Sequence, residues 1–215
     1  MFTASPLQGN QLGVFPDGRD LDGALMQRTA RELNLSETVF FLPSERACDA
    51  RVRIFTPVGE LPFAGHPVLG SAFVLGDLTG AATVSLETGL GPVPVELASE
   101  AEVAALGPDQ RALAGLQIGV SCFAGHGASW KTRMFAPFHG VPEDPATGSA
   151  AGPLAVHLAR HGRIAFGEEI EIRQGEEIGR PSVLYARAEG TADRIERVLV
   201  GGSAVIVARG EYLLG

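Results

Sequence analysis

The sequence predicts an α/β protein (α+β class) built from two similar halves that face each other across a cleft. Two observations support this prediction. Each half of the 215-residue chain contains several short strand-like segments and one long apolar helix. A short motif of acidic residue, proline, glycine and polar residue also recurs directly ahead of each long helix. A constant spacing between two such copies is the sequence signature of an internal repeat.

Residues 20–33 carry the pattern of an amphipathic helix. Asp20 is the predicted N-cap, and Asn34 can end the helix in the left-handed conformation. The apolar face of this helix consists of Leu21, Leu25, Met26, Ala30 and Leu33.

Strand patterns follow the first helix and continue through the second half. Residues 39–42 and 51–55 are the first two predicted strands. Further candidates are 83–88, 92–97, 168–173, 182–188, 197–202 and 204–209. Residues 107–116 are predicted to be a linker or a short surface helix. We therefore divide the chain into an N-terminal half, 1–106, and a shortened C-terminal half, 107–215.

The recurring motif reads Glu-x-Pro-x-x-Gly followed by a polar residue, and corresponding positions are 83 residues apart. The matched pairs are Glu60 and Glu143, Pro62 and Pro145, Gly65 and Gly148, and His66 and Ser149. Both copies lead into an apolar helix. We interpret them as a true duplication.

The composition is typical of a soluble globular protein, with 45% apolar and 20% charged residues. The net charge is −8 and the 17 Lys and Arg residues are scattered, so no nucleic-acid-binding surface is expected. No apolar run approaches the roughly 18 residues that span a bilayer, and the start of the chain lacks a signal-peptide pattern. We expect a cytoplasmic protein with neither nucleic-acid nor membrane partners.

Cys48 and Cys122 are too few for a disulfide framework, and each is interpreted as a small buried apolar residue in a reducing compartment. The five histidines are not accompanied by a CxxC motif, so we expect no metal site.

A glycine-rich turn at a helix start leaves backbone N–H groups unpaired at the positive end of the helix dipole. Such an end attracts carboxylate or phosphate, and Gly65 and Gly148 would let a ligand approach the backbone closely. Two facing starts would hold a small anion from both sides and stabilise negative charge that develops when a proton leaves carbon. The alternative is ordinary helix capping.

Three side chains beside these glycines could take part in chemistry. His66 can donate a proton or a hydrogen bond near neutral pH. Asp144 can be a general acid or a carboxylate that orients His66. Ser149 can donate to an anionic substrate. Each of the three can also be a simple capping residue, and spacing alone leaves these alternatives open.

Several stretches resemble the PhzF family of phenazine-biosynthesis-like isomerases. They are ASPLQGN near the start, LSETVF at 35–40, ELPFAGHPVLGSA at 60–72, RMFAPFHGVPEDPATGSAAGPLAVHL at 133–158, QGEEIGRPS at 174–182 and the closing VGGSAVIVARGEY. The resemblance covers nearly the whole chain. It implies a diaminopimelate epimerase-like fold, in which each half is a mostly antiparallel sheet wrapped on a central helix and the active site lies between the halves.

The resemblance also implies a cofactor-independent isomerase, a homodimer, that moves a proton by acid–base chemistry on a small carboxylate-bearing substrate. The family's catalytic glutamate falls on Glu37, which by itself reads as a surface residue at a strand start. Val39 and Phe40 are candidates for an apolar wall that raises the pKa of Glu37. By motif, the other catalytic residues are His66, Asp144 and Ser149, and the substrate-binding residues are Gly65, Thr147 and Gly148.

Two alternatives stay open. The chain is shorter than typical family members, with length missing between about 97 and 131, which is compatible with a degenerate protein that binds a small anion without turnover. A two-base amino-acid epimerase that uses Glu37 and Asp144 is the other. A thiol-pair racemase is disfavoured, because neither position 66 nor position 149 is a cysteine.

Overall fold

A computed structural model describes residues 1–44, 48–62, 64–80, 86–87, 93–116 and 118–211. The strands are β1 (Leu12–Phe15), β2 (Glu37–Leu42), β3 (Ala50–Phe55), β4 (Glu60–Leu61), β5 (Leu86–Glu87), β6 (Val93–Glu96), β7 (Val120–His126), β8 (Ser129–Ala136), β9 (Val141–Asp144), β10 (Glu169–Gln174), β11 (Ser182–Gly190) and β12 (Ile195–Gly201). The helices are α1 (Gly23–Leu33), α2 (Gly65–Thr79), α3 (Glu100–Ala104), α4 (Gln110–Leu116) and α5 (Gly148–Arg160). None of the helices in these ranges is long and apolar enough to cross a membrane.

The strands form a five-stranded sheet, β1 to β5, and a seven-stranded sheet, β6 to β12. The first five strands of each sheet pair in the same way. The first strand is parallel to the second, and the second is antiparallel to the third. The third strand carries an antiparallel and a parallel neighbour on its other edge. The α+β class and the two similar halves are thereby confirmed.

Each sheet is covered by the helix that connects its fourth and fifth strands. Helix α5 buries an alanine- and leucine-rich face against the second sheet, around Trp130, Ile172 and Leu184. Helix α2 contributes Val68 and Leu75 to the core of the first sheet, whose opposite face is covered by α1. The extra hairpin β11–β12 follows in the second half and also packs on α5, where a side chain at Gly152 would meet Val198.

The predicted boundary between the halves, after residue 106, does not coincide with the division between the two sheets. Strand β6 precedes the predicted boundary after residue 106, yet it pairs with β7 in the second sheet. The division at 106 and the shortening of the second half stay predictions, since the sheets alone do not define domains.

Several local predictions change. The N-cap of α1 is Asp22, whose Oδ1 accepts a hydrogen bond from the Leu25 amide at 2.7 Å, and not Asp20, because the helix begins at Gly23. Asn34 ends this helix with φ 49°, as predicted. Residues 107–116 contain α4. Of the candidates 83–88 and 92–97, β5 and β6 are strands, and 83–85, 88 and 92 lie outside the described residues.

Residues 204–209 are not a strand, although their sequence alternates like one. A strand needs an edge to pair with, and this segment instead lies beside α2, where Arg209 contacts Asp77 at 2.9 Å. The pattern analysis also missed β1, β4, β7, β8 and β9. In β8 the buried polar residues Lys131, Thr132 and Arg133 hide the alternation that marks a strand.

Candidate active site

The starts of α2 and α5 touch each other between the two sheets. A side-chain carbon added to Gly65 would lie 2.0 Å from the backbone nitrogen of Ser149, and one added to Gly148 would lie 3.1 Å from the backbone of Gly65. Only glycine permits this approach at position 65. The structure therefore brings together the two helix starts that the repeated motif singled out.

Neither helix start is capped by a side chain. The cap residues are Ala64 and Thr147, and neither makes a side-chain capping bond. The motif residues of the described ranges therefore do not act as side-chain caps of these helices. The unpaired first-turn N–H groups of both helices lie at the junction of the two halves, where they favour negative charge.

Glu37 and His66 are buried and face each other. Glu37 begins β2 and His66 lies in the first turn of α2, and they are 5% and 2% exposed. Glu37 Oε2 lies 2.9 Å from His66 Nε2. That nitrogen is aligned with the carbonyl oxygen of Gln11 at 3.1 Å, so within the described residues Glu37 Oε2 has no aligned hydrogen bond.

Burial disfavours the imidazolium form of His66, but the Glu37 and Asp144 carboxylates and the Gln11 carbonyl outweigh it, and the pKa of His66 is raised above its ordinary value. Val39 lies in the core cluster between β2 and α2, on the side of the sheet that carries His66. Phe40 packs instead against α1 on the opposite face, so the prediction that Phe40 walls Glu37 is wrong. Successive side chains of a strand point to opposite faces, which explains the difference.

Asp144 ends β9 and is also buried. Its Oδ1 accepts from Asn10 Nδ2 at 2.6 Å and its Oδ2 accepts from the Thr147 hydroxyl at 2.5 Å. Burial and the nearby charge of Glu37 raise the pKa of Asp144 to about 6, although His66 and the two donors act in the opposite direction. A carboxyl group with a pKa near 6 can exchange protons close to neutral pH.

Asn10 lies between His66 and Asp144 and contacts both, and the sequence analysis did not select it. Its Nδ2 lies 3.0 Å from His66 Nδ1 and donates to the Ala146 carbonyl oxygen as well as to Asp144. The two oxygens take both hydrogens of the Asn10 amide, so its contact with Nδ1 does not assign the tautomer of His66. The stretch ASPLQGN contains Asn10 and was the available signal.

The remaining predicted residues lie at the start of α5. The Thr147 hydroxyl is directed at Asp144, so in this state it is used within the protein. Ser149 is half-buried, and its hydroxyl makes no hydrogen bond within the described part of the chain. Ser149 is therefore free to bind a ligand. Gln174, which was not predicted, donates to the Asp144 carbonyl oxygen at 2.7 Å.

A family model described as phenazine biosynthesis-like protein matches residues 1–112 and 93–210, which together cover almost the whole chain. The chain belongs to the PhzC/PhzF family. Among its relatives, trans-2,3-dihydro-3-hydroxyanthranilate isomerase of Pseudomonas chlororaphis is 45% identical over 269 aligned positions, 99% of this chain and 97% of that protein. The alignment is longer than this 215-residue chain, so the relative has segments that this chain lacks.

Solved structures agree with the family assignment. A predicted epimerase from Pseudomonas aeruginosa superimposes with a TM-score of 0.77 at 30% identity, covering 99% of this chain and 96% of that one. A hydroxyproline epimerase from Agrobacterium vitis, at 12% identity and a TM-score of 0.53, shares the fold over 84% of this chain and 77% of its own length. The epimerase-like fold is thus confirmed, and this PhzF-family protein is an isomerase.

The expectation of no metal site overlooked one pair of histidines. His157 and His161 are spaced HxxxH near the end of α5, with ring centroids 4.2 Å apart. A third ligand is missing, since no group of three or more His, Cys, Asp or Glu side chains in the described ranges could hold a metal ion. The absence of a metal or cofactor stays a prediction.

Proposed function

We propose that this protein isomerises trans-2,3-dihydro-3-hydroxyanthranilate, or a closely similar cyclic carboxylate, by moving one proton without a cofactor. The 45% identical Pseudomonas isomerase supports the substrate. The observation that carries the reaction type is the cluster of Glu37, His66 and Asp144 against two touching helix starts. We keep the cytoplasmic location and the homodimer as predictions.

In this proposal the Glu37 carboxylate removes a proton from a ring carbon that is conjugated to the substrate carboxylate. The C–H electron pair becomes part of a delocalised anion, and Glu37 becomes a carboxylic acid. Glu37 then returns the proton to another ring carbon on the same face, so that no atom is gained or lost and one double bond has moved.

The surrounding groups stabilise the charged species in this proposal. Amides at Gly65 and Gly148, with the free hydroxyl of Ser149, bind the substrate carboxylate. His66, whose Nε2 faces Glu37, and Asp144, whose pKa is near 6, donate or accept hydrogen bonds as the negative charge moves. Because Glu37 and His66 are in direct contact here, the substrate must displace that contact when it binds.

Replacement of Glu37 tests this proposal. By proton NMR, the parent protein should convert the substrate to its isomer, and Glu37→Gln should lower kcat by at least about 100-fold, the usual size of a general acid–base contribution. In deuterium oxide, the deuterium content of the product measures how often the Glu37 acid exchanges with solvent before it returns the proton. Glu32→Gln, on the exposed face of α1, is the matched control and should behave like the parent. Equal turnover by Glu37→Gln and the parent would show that the assigned base is wrong. Substrate binding without turnover in the parent would favour the degenerate binding protein.

A further inference from the structure

Gln174 is a buried residue next to the candidate site, and the nitrogen and the oxygen of its side-chain amide each make two hydrogen bonds. It ends β10 and is 2% exposed. Its Nε2 donates to the Asp144 carbonyl oxygen at 2.7 Å and to the Thr147 hydroxyl oxygen at 3.0 Å. Its Oε1 accepts from the Thr147 amide at 3.2 Å and from the Thr132 hydroxyl at 3.1 Å.

These bonds fix the direction of the hydrogen bond that reaches Asp144. Because the Gln174 amide nitrogen can only donate, the Thr147 oxygen accepts from it, and the single hydroxyl hydrogen of Thr147 is left for Asp144 Oδ2. With Asn10 donating to Oδ1, both oxygens of Asp144 act as acceptors, which favours the carboxylate form. The charged groups that face Asp144 are Glu37 of β2 and His66 of α2.

The loop after β10 holds Gln174 in place. Lys131, 4% exposed, contacts Glu176 and lies 2.7 Å from Glu177. A side chain on Gly175 would lie 2.6 Å from the Pro145 carbonyl oxygen, and Gly175 has φ 79°, so the loop packs directly on the chain segment that carries Asp144. A rigid support of this kind is what a precisely oriented catalytic group requires.

We propose that Gln174 is a positioning residue for the isomerisation, which aims the Thr147 hydroxyl at Asp144 and so keeps Asp144 a hydrogen-bond acceptor. Gln174 touches no substrate in this assignment and acts only through Thr147 and the backbone of Asp144. The proposal rests on the proposed function for its kinetic consequence, but not for its effect on the titration of Asp144.

The substitution Gln174→Glu tests the direction of the bond without changing the shape of the side chain. A carboxylate oxygen in place of Nε2 can only accept, so the Thr147 hydroxyl would turn toward residue 174, and Asp144 would lose a donor and gain a negative neighbour. We expect the titration midpoint of Asp144, followed by carboxyl ¹³C NMR on the full chain, to rise by about one pH unit or more. The acidic limb of kcat/KM against pH should move in the same direction.

Two further variants separate orientation from packing. Thr147→Val removes the hydroxyl, and it should raise the Asp144 midpoint by itself. In the double variant, Gln174→Glu should add less to the shift than it adds alone, because only its negative charge still acts on Asp144 and the hydroxyl that it redirects is gone. Gln27→Glu on α1, where Gln27 bonds the Thr56 carbonyl oxygen, adds the same charge outside the site and should leave the midpoint unchanged.

Each outcome decides a different proposal. An unchanged Asp144 midpoint in Gln174→Glu, or full additivity with Thr147→Val, overturns the positioning role. A shifted midpoint with no change in the pH profile, together with parental activity of Asp144→Asn, leaves the positioning of Asp144 intact and overturns the use of Asp144 in the reaction.

Discussion

The two halves of this isomerase contain the same arginine–glutamate clamp in different surroundings. RIFTP at 53–57 and RMFAP at 133–137 place an arginine and a phenylalanine on corresponding strands. Arg53 binds Glu60 through two bonds of 2.7 Å, and Arg133 binds Glu143 through bonds of 2.8 and 2.7 Å. In each half the guanidinium also lies about 5 Å above the ring of that phenylalanine.

Burial separates the two clamps. The side chains of Arg53 and Glu60 are 25% and 42% exposed, whereas those of Arg133 and Glu143 are 8% and 10% exposed. Arg133 also donates through Nη1 to the carbonyl oxygens of Ala104 and Leu106 at the end of α3. The glutamate of the buried clamp, Glu143, is followed in β9 by Asp144, whereas that of the exposed clamp, Glu60, is followed in β4 by Leu61. The more buried copy is thus the one that lies next to an acidic site residue.

The chemistry of the two halves is therefore less symmetric than their topology. The position that corresponds to Asp144 in the first half is Leu61, and the register of β7 on β8 places Gly119 where β2 has Glu37. A two-base epimerase would use equivalent acids from both halves to reach opposite faces of one carbon. Acids at non-equivalent positions instead favour one proton-transferring cluster, as in the proposed proton shift.

Breaking each clamp should give the largest difference between the halves. Arg133→Met leaves Glu143 buried without its partner and should cost about 3–5 kcal/mol of unfolding free energy. Arg53→Met at the exposed clamp should cost about 0–1 kcal/mol. Urea unfolding of both variants, followed by circular dichroism, measures the two values. Equal losses would show that the burial of the clamp has no energetic consequence.

The second largest difference is expected between alanine substitutions of the two helix-start glycines, Gly65 and Gly148. Gly65→Ala forces a carbon to within 2.0 Å of the Ser149 nitrogen, which must push the helix starts apart, whereas Gly148→Ala needs its neighbours to move by only a few tenths of an ångström. We expect kcat/KM to fall by about 100-fold or more for Gly65→Ala, the size of effect that a shift of about 1 Å can produce. Gly148→Ala should lose no more than about tenfold on the same scale.

Steady-state kinetics of both glycine variants, with a melting curve for each, checks this difference. The melting curves separate a displaced site from an unfolded chain. A larger loss of activity for Gly148→Ala than for Gly65→Ala would contradict the contact geometry of the two helix starts.

The sequence predicted the parts of the site that repeat. Gly65 and Gly148 were found because a duplicated motif leaves a constant offset, and the contact between their helices follows from that duplication. Glu37 was found only through the family resemblance, because a single acid at a strand start has no pattern that distinguishes it from a surface residue. In the folded protein Glu37 is buried and contacts His66 of α2, a contact that no local sequence pattern reveals.

Asn10 and Gln174 could not be predicted from pattern for a related reason. Each is a single amide whose role depends on partners far along the chain, such as His66 and Asp144 for Asn10. Strand β8 was missed because the buried cations Lys131 and Arg133 are paired with acids from other segments. Tertiary pairing of this kind overrides the hydrophobic alternation on which strand prediction depends.

The smallest predicted effect is a pH dependence of the unfolding free energy that comes from Asp144, the acidic site residue of the second half. The pKa of Asp144 is raised from 3.8 to about 6, so between these values the folded protein binds more protons than the unfolded chain, and stability falls as pH rises. His66, whose pKa is also raised, contributes stability at low pH that is lost as pH rises through its folded pKa. Both groups act in the same direction.

Asp144→Asn removes the Asp144 contribution to this dependence. Between pH 5 and 7 the parent should lose about 1 kcal/mol of unfolding free energy relative to Asp144→Asn. The reason is that stability changes by about 1.4 kcal/mol for each pH unit between the unfolded and the folded pKa of a group. Asp193→Asn, at an exposed position, changes the net charge equally and should follow the parent. Urea unfolding at the two pH values measures the difference. If Asp144→Asn and the parent respond to pH alike, the pKa of Asp144 is not raised in the folded protein. Asp144 then acts only as a hydrogen-bond acceptor and does not exchange protons near neutral pH.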